Sequence, residues 1–147
     1  MTLRGHVIQA AITAAAAATV LDPWQTLVLA SSVVLIDVDH YLDFVVVTGR
    51  FGLSEMFRFH DFVWERRGEV YGLSVFHTVE VFSLLAAAGW LWSEWAWVVL
   101  AGFLMHMAAD AVFLYRNDAL GTRAVSIVEY VVRRGGAGYP RYEDAEE

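Results

Sequence analysis

Histidine and aspartate recur in this chain at spacings that suit a bound divalent cation. Asp37 and His40 are three residues apart in 36-IDVDH-40, and His77 and Glu80 are three apart in 77-HTVE-80. His106 and Asp110 are four apart in 106-HMAAD-110. On a helix each of these pairs shares one face. Inward-pointing carboxylate–imidazole pairs of this kind hold metals in helix bundles. His6 adds a fourth segment with the same chemistry. The expected metal ligands are therefore His6, Asp37, His40, His77, His106 and Asp110. Asp39 sits about 160° round an ideal helix from Asp37. It suits a second metal, a group that orients a ligand ring, or, with Glu80, a catalytic carboxylate acting as general base on water. With no cysteine in the chain, only nitrogen and oxygen donors are available. Zinc is the first choice on imidazole count, and manganese and iron also fit such a set.

The elements that must position these residues are apolar. Of 147 residues 58% are hydrophobic, and the mean hydropathy is +0.47, above the range of an ordinary soluble domain. Four segments of about 19–24 residues, at 3–21, 24–47, 70–92 and 95–115, match the ~20 needed to span a bilayer as helix. The expected fold is all-α, a four-helix transmembrane bundle occupying residues 1–116. Residues 117–147 would form a cytoplasmic amphipathic helix over 124–134 and an acidic tail, 143-EDAEE-147. The first segment reads as a retained helix rather than a cleaved signal, because His6 and Gln9 interrupt it. Alanine runs and Gly102 permit close helix approach, which also leaves room for a homo-oligomer.

Arginine sets the topology. The two short linkers, Asp22-Pro23 and Ser93-Glu94, carry none, whereas residues 48–69 carry Arg50, Arg58, Arg66 and Arg67. The remaining arginines lie at position 4 and from 116 onward. The positive-inside rule then puts both termini in the cytoplasm, in the cell membrane. Trp24, Trp90, Trp92, Trp95 and Trp97 gather at the opposite face, as an interfacial belt does. In the long loop Ser54 is the expected N-cap of a short interfacial helix rich in aromatics, a lid over the bundle mouth. No basic face suggests nucleic acid as a partner.

On this topology every candidate ligand lies in the cytoplasmic half of the layer, where bare charges are costly and mark function. Asp43 falls nearer the headgroup region, and His60, in 58-RFHDF-62, lies at the mouth or on the surface. Arg66 and Arg67 would hold an anionic headgroup or simply supply inside charge. The ordered set His6, 36-IDVDH-40, 77-HTVE-80 and 103-FLMHMAAD-110 resembles the YdjM-like family of predicted membrane-bound metal-dependent hydrolases over residues 6–110. The resemblance implies His6, Asp37, Asp39, His40, His77, His106 and Asp110 as metal-site positions. Ile36 stands where the family commonly has proline, and 74-SVFHT-78 lacks the Arg and upstream His common there. The expected function is hydrolysis of a lipid-type or lipid-linked ester or phosphoester, with membrane lipids as partners. A metal ion would activate water and polarise the scissile group. The alternatives are a b-type haem electron carrier, with facing histidines as axial ligands, and a cation or proton transporter using the same buried layer.

Overall fold

The computed structural model describes residues 3–133 and residue 142. The acidic tail and Arg134 and Arg141 lie outside them. The fold is all-α, as expected. In chain order the helices are α1 (Leu3–Ala17), α2 (Pro23–Leu35), α3 (Val38–Thr48), α4 (Leu53–Glu65), α5 (Val79–Leu91), α6 (Glu94–Arg116) and α7 (Ile127–Arg133). Single 3-10 turns precede α5 (Val75–His77) and α7 (Leu120–Thr122). Helix α1 packs on α2, α2 on α6, and α6 on α5, so two antiparallel hairpins meet along the α2–α6 contact.

Local chemistry explains the hairpin turns. Asp22 Oδ1 accepts from the backbone N–H of Trp24 (2.8 Å) and Gln25 (3.0 Å), and Pro23 occupies the first helical position. This capping box starts α2 abruptly after α1. Where α2 meets α6, a β-carbon on Gly102 would lie 2.7 Å from Ser32 Cβ and 2.8 Å from the Leu29 carbonyl oxygen. Glycine is therefore what lets these two helices touch backbone to side chain.

The segment expected as one helix over 24–47 is broken. Around Ile36 and Asp37 the hydrogen bonds tighten to i→i−3, from Asp37 N to Val34 O (3.4 Å), Asp39 N to Ile36 O (3.5 Å) and His40 N to Asp37 O (3.0 Å). No proline or glycine marks the site. Ser32 Oγ donates to the Val28 carbonyl one turn earlier (2.7 Å), an attachment that bends helices. The break resolves the angular conflict between Asp37 and Asp39, since their side chains are 23% and 2% exposed and both face inward.

The segment expected as a helix over 70–92 is helical only from Val79. Gly72 pairs its N–H with Thr122 O (2.9 Å) and its carbonyl with Ala124 N (3.0 Å), a parallel bridge to Arg123. Val79 N also donates to Val125 O (3.0 Å). With its main chain committed to the 122–125 segment, the approach to α5 stays extended. Thr78, at φ −98 and ψ 151, caps α5 after the turn that holds His77.

Helix α4 begins at Gly52 as N-cap rather than at Ser54, which lies inside its first turn. Gly49, at φ +68, ends α3 in the left-handed conformation, and the chain then doubles back. Phe44 of α3 and Phe59 of α4 are fully buried against each other, ring centroids 5.7 Å apart. The distribution of polarity is inverted for a globular protein. Large apolar side chains such as Ile12, Leu27, Leu84, Trp90 and Leu104 are exposed, while His6, Asp39, His77, His106 and Asp110 are at most 2% exposed. Among the described residues one helix, α6 at 23 residues, is long and apolar enough to cross a membrane; α5 has 13.

Replacing Gly102 with valine should destabilise the fold by about 1–3 kcal/mol, because backbone atoms of α2 would have to retreat. The expected outcome is a lower melting temperature in detergent for Gly102→Val, with Gly121→Ala, an open position, as the neutral control.

Candidate metal centre

Five segments converge. Helix α1 supplies His6, the α2–α3 break supplies Asp37, the first turn of α3 supplies Asp39 and His40, the turn before α5 supplies His77, and α6 supplies His106 and Asp110. Donor atoms within 4.8 Å of one another form three groups: His6, Asp37 and His106; Asp37, His40 and His77; and His77, His106 and Asp110. All six expected ligands are thus brought together. Asp37 belongs to two of the groups and stands between them. Its Oδ2 lies 3.5 Å from His6 Nε2, and its Oδ1 lies 3.3, 3.3 and 3.5 Å from the Nε2 atoms of His40, His106 and His77.

Two hydrogen bonds place a proton on Nδ1 of each central ring. His106 Nδ1 donates to the Val33 carbonyl oxygen (2.8 Å), which can only accept. His77 Nδ1 donates to Asp39 Oδ2 (2.9 Å), which also accepts the Phe76 backbone N–H (2.9 Å). A neutral imidazole with Nδ1–H bears its lone pair on Nε2. The two Nε2 atoms face each other at 3.3 Å. Lone pairs so opposed repel, and either a proton shared between them or a metal cation removes the conflict. With Asp37 Oδ1 they form a triangle of edges 3.3, 3.3 and 3.5 Å. Donors about 2.0–2.1 Å from a tetrahedral zinc are themselves about 3.3 Å apart. The donor set therefore fits a metal ion. The Asp39–His77 pair is the carboxylate–imidazole partnership that orients metal ligands.

Asp39 is thus placed behind His77, with its Oδ1 3.6 Å from His40 Nδ1. Ser74 Oγ lies 3.3 Å from that same Nδ1. Glu80 is not brought to the cluster. Because Thr78 interrupts the helix, His77 and Glu80 do not share a face, and Glu80 Oε1 accepts from Ser126 Oγ (2.5 Å) and Val128 N (3.3 Å). Arg66 and Arg67 stay at the end of α4, stacked over the rings of Phe62 (4.9 Å) and Trp64 (5.1 Å). Neither pairs with a cluster carboxylate among the described contacts. Asp43 is half-buried on α3 and belongs to none of the three groups.

His60 comes closer than a surface residue would. Its ring meets His40 edge-on at 5.1 Å, and its Nε2 is enclosed. Burial lowers its pKa below 6.5, keeping the ring neutral at neutral pH. One residue escaped the sequence reading altogether. Arg123 Nη2 lies 3.3 Å from Asp110 Oδ2, and its side chain is 17% exposed. In the sequence it is one arginine among those after α6, with no spacing that ties it to Asp110.

Access is one-sided. The side chains of His6, His77, His106 and Asp110 are 0–3% exposed, whereas those of Asp37 and His40 are 23% and 25% exposed. The opening lies there, beside His60 and helix α4. Comparison of the chain with protein-family models, with characterised proteins and with solved structures finds no match in any of the three.

Asp39→Asn should weaken divalent-metal binding about 10–100-fold, because the amide loses the charged acceptor that holds His77. Titration of apo protein against a chelator of known affinity checks this, with Asp43→Asn expected to leave the affinity unchanged.

Proposed function

We propose that this chain is an integral-membrane, divalent-metal-dependent hydrolase acting on a lipid-type or lipid-linked ester or phosphoester at the cytoplasmic face. The observation that carries the reading is the opposition of His77 Nε2 and His106 Nε2 at 3.3 Å, each with its Nδ1 already committed. His6, Asp37, His40, His77, His106 and Asp110 would hold the ion or ions, zinc being the first choice. A cation so held supplies Lewis acidity toward a phosphoryl or acyl oxygen and toward water. The chain's own part is positional. Val33 and Asp39 keep two rings aimed, Asp37 spans two ligand groups, and the packed helices keep bulk water out of all but the Asp37–His40 side.

The membrane assignment rests on the apolar exterior, the polar interior and α6. The non-helical stretch before α5 and the break after α2 line the cluster from within. Irregular backbone at membrane depth is tolerated where it is buried in protein. Trp24, Trp90, Trp92, Trp95 and Trp97 are all exposed, at the hairpin ends farthest in sequence from the arginine-bearing loop. The likeness of residues 6–110 to the YdjM-like hydrolases agrees with the same reading. A haem between these histidines has less support, since His6 stacks on His106 at 4.0 Å and carboxylates stand beside nearly every ring.

Two experiments test the proposal. Detergent-purified protein should contain about one to two equivalents of divalent metal, sharply reduced in the His40→Ala/His106→Ala double variant. Metal-free protein with both histidines intact would overturn the reading. Because the chain has no cysteine, single cysteines introduced at Ser54 and Ser93 report topology cleanly. In intact cells an impermeant maleimide should label the cysteine at position 93 and spare the one at 54; labelling of both would rule out the four-span topology.

A further inference from the structure

Arg123 sits in a strap, residues 119–126, that crosses the cluster from the C-terminal side of α6. The strap is held by main-chain bonds. Gly72 N–H donates to Thr122 O and Ala124 N–H to Gly72 O, so Arg123 is the residue gripped between them. Val125 O accepts from Val79 N, and Ser126 is tied to Glu80. None of these bonds uses the Arg123 side chain. That side chain is 17% exposed and reaches Asp110 Oδ2 with Nη2 alone, at 3.3 Å. Its Nη1 is enclosed and has no acceptor among the described residues.

A guanidinium has five N–H donors in a fixed fork, and buried donors are almost always satisfied. Asp110 Oδ1 faces His6 Nε2 at 3.5 Å, so the guanidinium meets one carboxylate oxygen only. Here one arm of the fork is left over beside a site built for cations.

We propose that Arg123 is the seat for the phosphoryl group of the substrate, its free arm donating to a phosphate oxygen beside the metal ligand Asp110. This rests on the metal-centre reading and names the substrate class for it: a phosphate ester rather than a carboxylic ester. The planar fork of arginine suits phosphate better than the point charge of lysine.

The test is calorimetric titration of the metal-loaded, detergent-purified protein with inorganic phosphate. Arg123→Gln should weaken phosphate binding about tenfold or more, and Arg123→Lys, which keeps the charge beside Asp110, several-fold. Both effects are read with metal content and melting temperature measured alongside. If Arg123→Gln does not fold, Arg123→Lys carries the test alone. Phosphate affinity equal to wild type in a folded, metal-bearing variant overturns the assignment, and so does metal-bearing wild type that binds no phosphate. Wild type without metal instead overturns the underlying reading. A parallel titration with short-chain phosphatidic acid distinguishes the source. Tighter Arg123-dependent binding than for inorganic phosphate assigns the seat to a lipid headgroup, and equal binding to a water-soluble phosphomonoester.

Discussion

Two imidazole nitrogens, His77 Nε2 and His106 Nε2, are held 3.3 Å apart by groups that occupy each ring's Nδ1–H, so that in the neutral rings each presents a lone pair. The holding groups are a backbone carbonyl, at Val33, and a carboxylate, at Asp39. Neither can be satisfied by turning a ring over without orphaning a buried acceptor, which costs on the order of 1–3 kcal/mol. The neighbourhood is thus able to hold a positive charge, and much of the fold's irregularity contributes to that arrangement. Asp39 can stand behind His77 only because α2 stops at Leu35 and α3 restarts at Val38. Phe76 N–H can reach the same carboxylate only because the chain before α5 is a 3-10 turn and not a helix.

The same constraint organises the surroundings. Three of the ligand segments come from regular helices, α1, α3 and α6, which fix direction well. The other two, at Asp37 and His77, come from places where helix geometry is suspended. A bundle of uninterrupted helices would turn Asp37 and Asp39 to opposite sides. Here both turn inward, one toward the donors and one toward the ring it steadies. Gly102 supports this from a distance, since the close α2–α6 approach sets the separation between Val33 and His106.

Much of the site was legible in the sequence, and the missing parts have physical reasons. His106 and Asp110 lie on an uninterrupted helix, so their i, i+4 spacing translated directly into geometry. Asp37 and His40 survived the helix break because three residues across a 3-10 turn still face one side. His77 and Glu80 did not, since Thr78 resets the chain between them. The break at Ile36 carries no glycine or proline, and 70-VYGLSVF-76 is as apolar as the helix that follows, so neither interruption had a local signature. The all-α class was plain from composition. The partnership of Arg123 with Asp110 depends on a backbone pairing between residues 72 and 122–124, and side-chain identity does not encode that.

The two hairpins also differ in how they are joined. Each is local, closed by a turn of a few residues, and can form as soon as its own segment emerges. The donors, however, are divided between them: His6, Asp37 and His40 lie on the first side, and His77, His106 and Asp110 on the second. In a chain without a disulfide, a cation bound by both sets would act as the cross-link, tying residue 6 to residue 110. Assembly would then be ordered, with hairpins first and the clasp last. The bound ion would lend its binding energy to holding the halves together, as structural metals do.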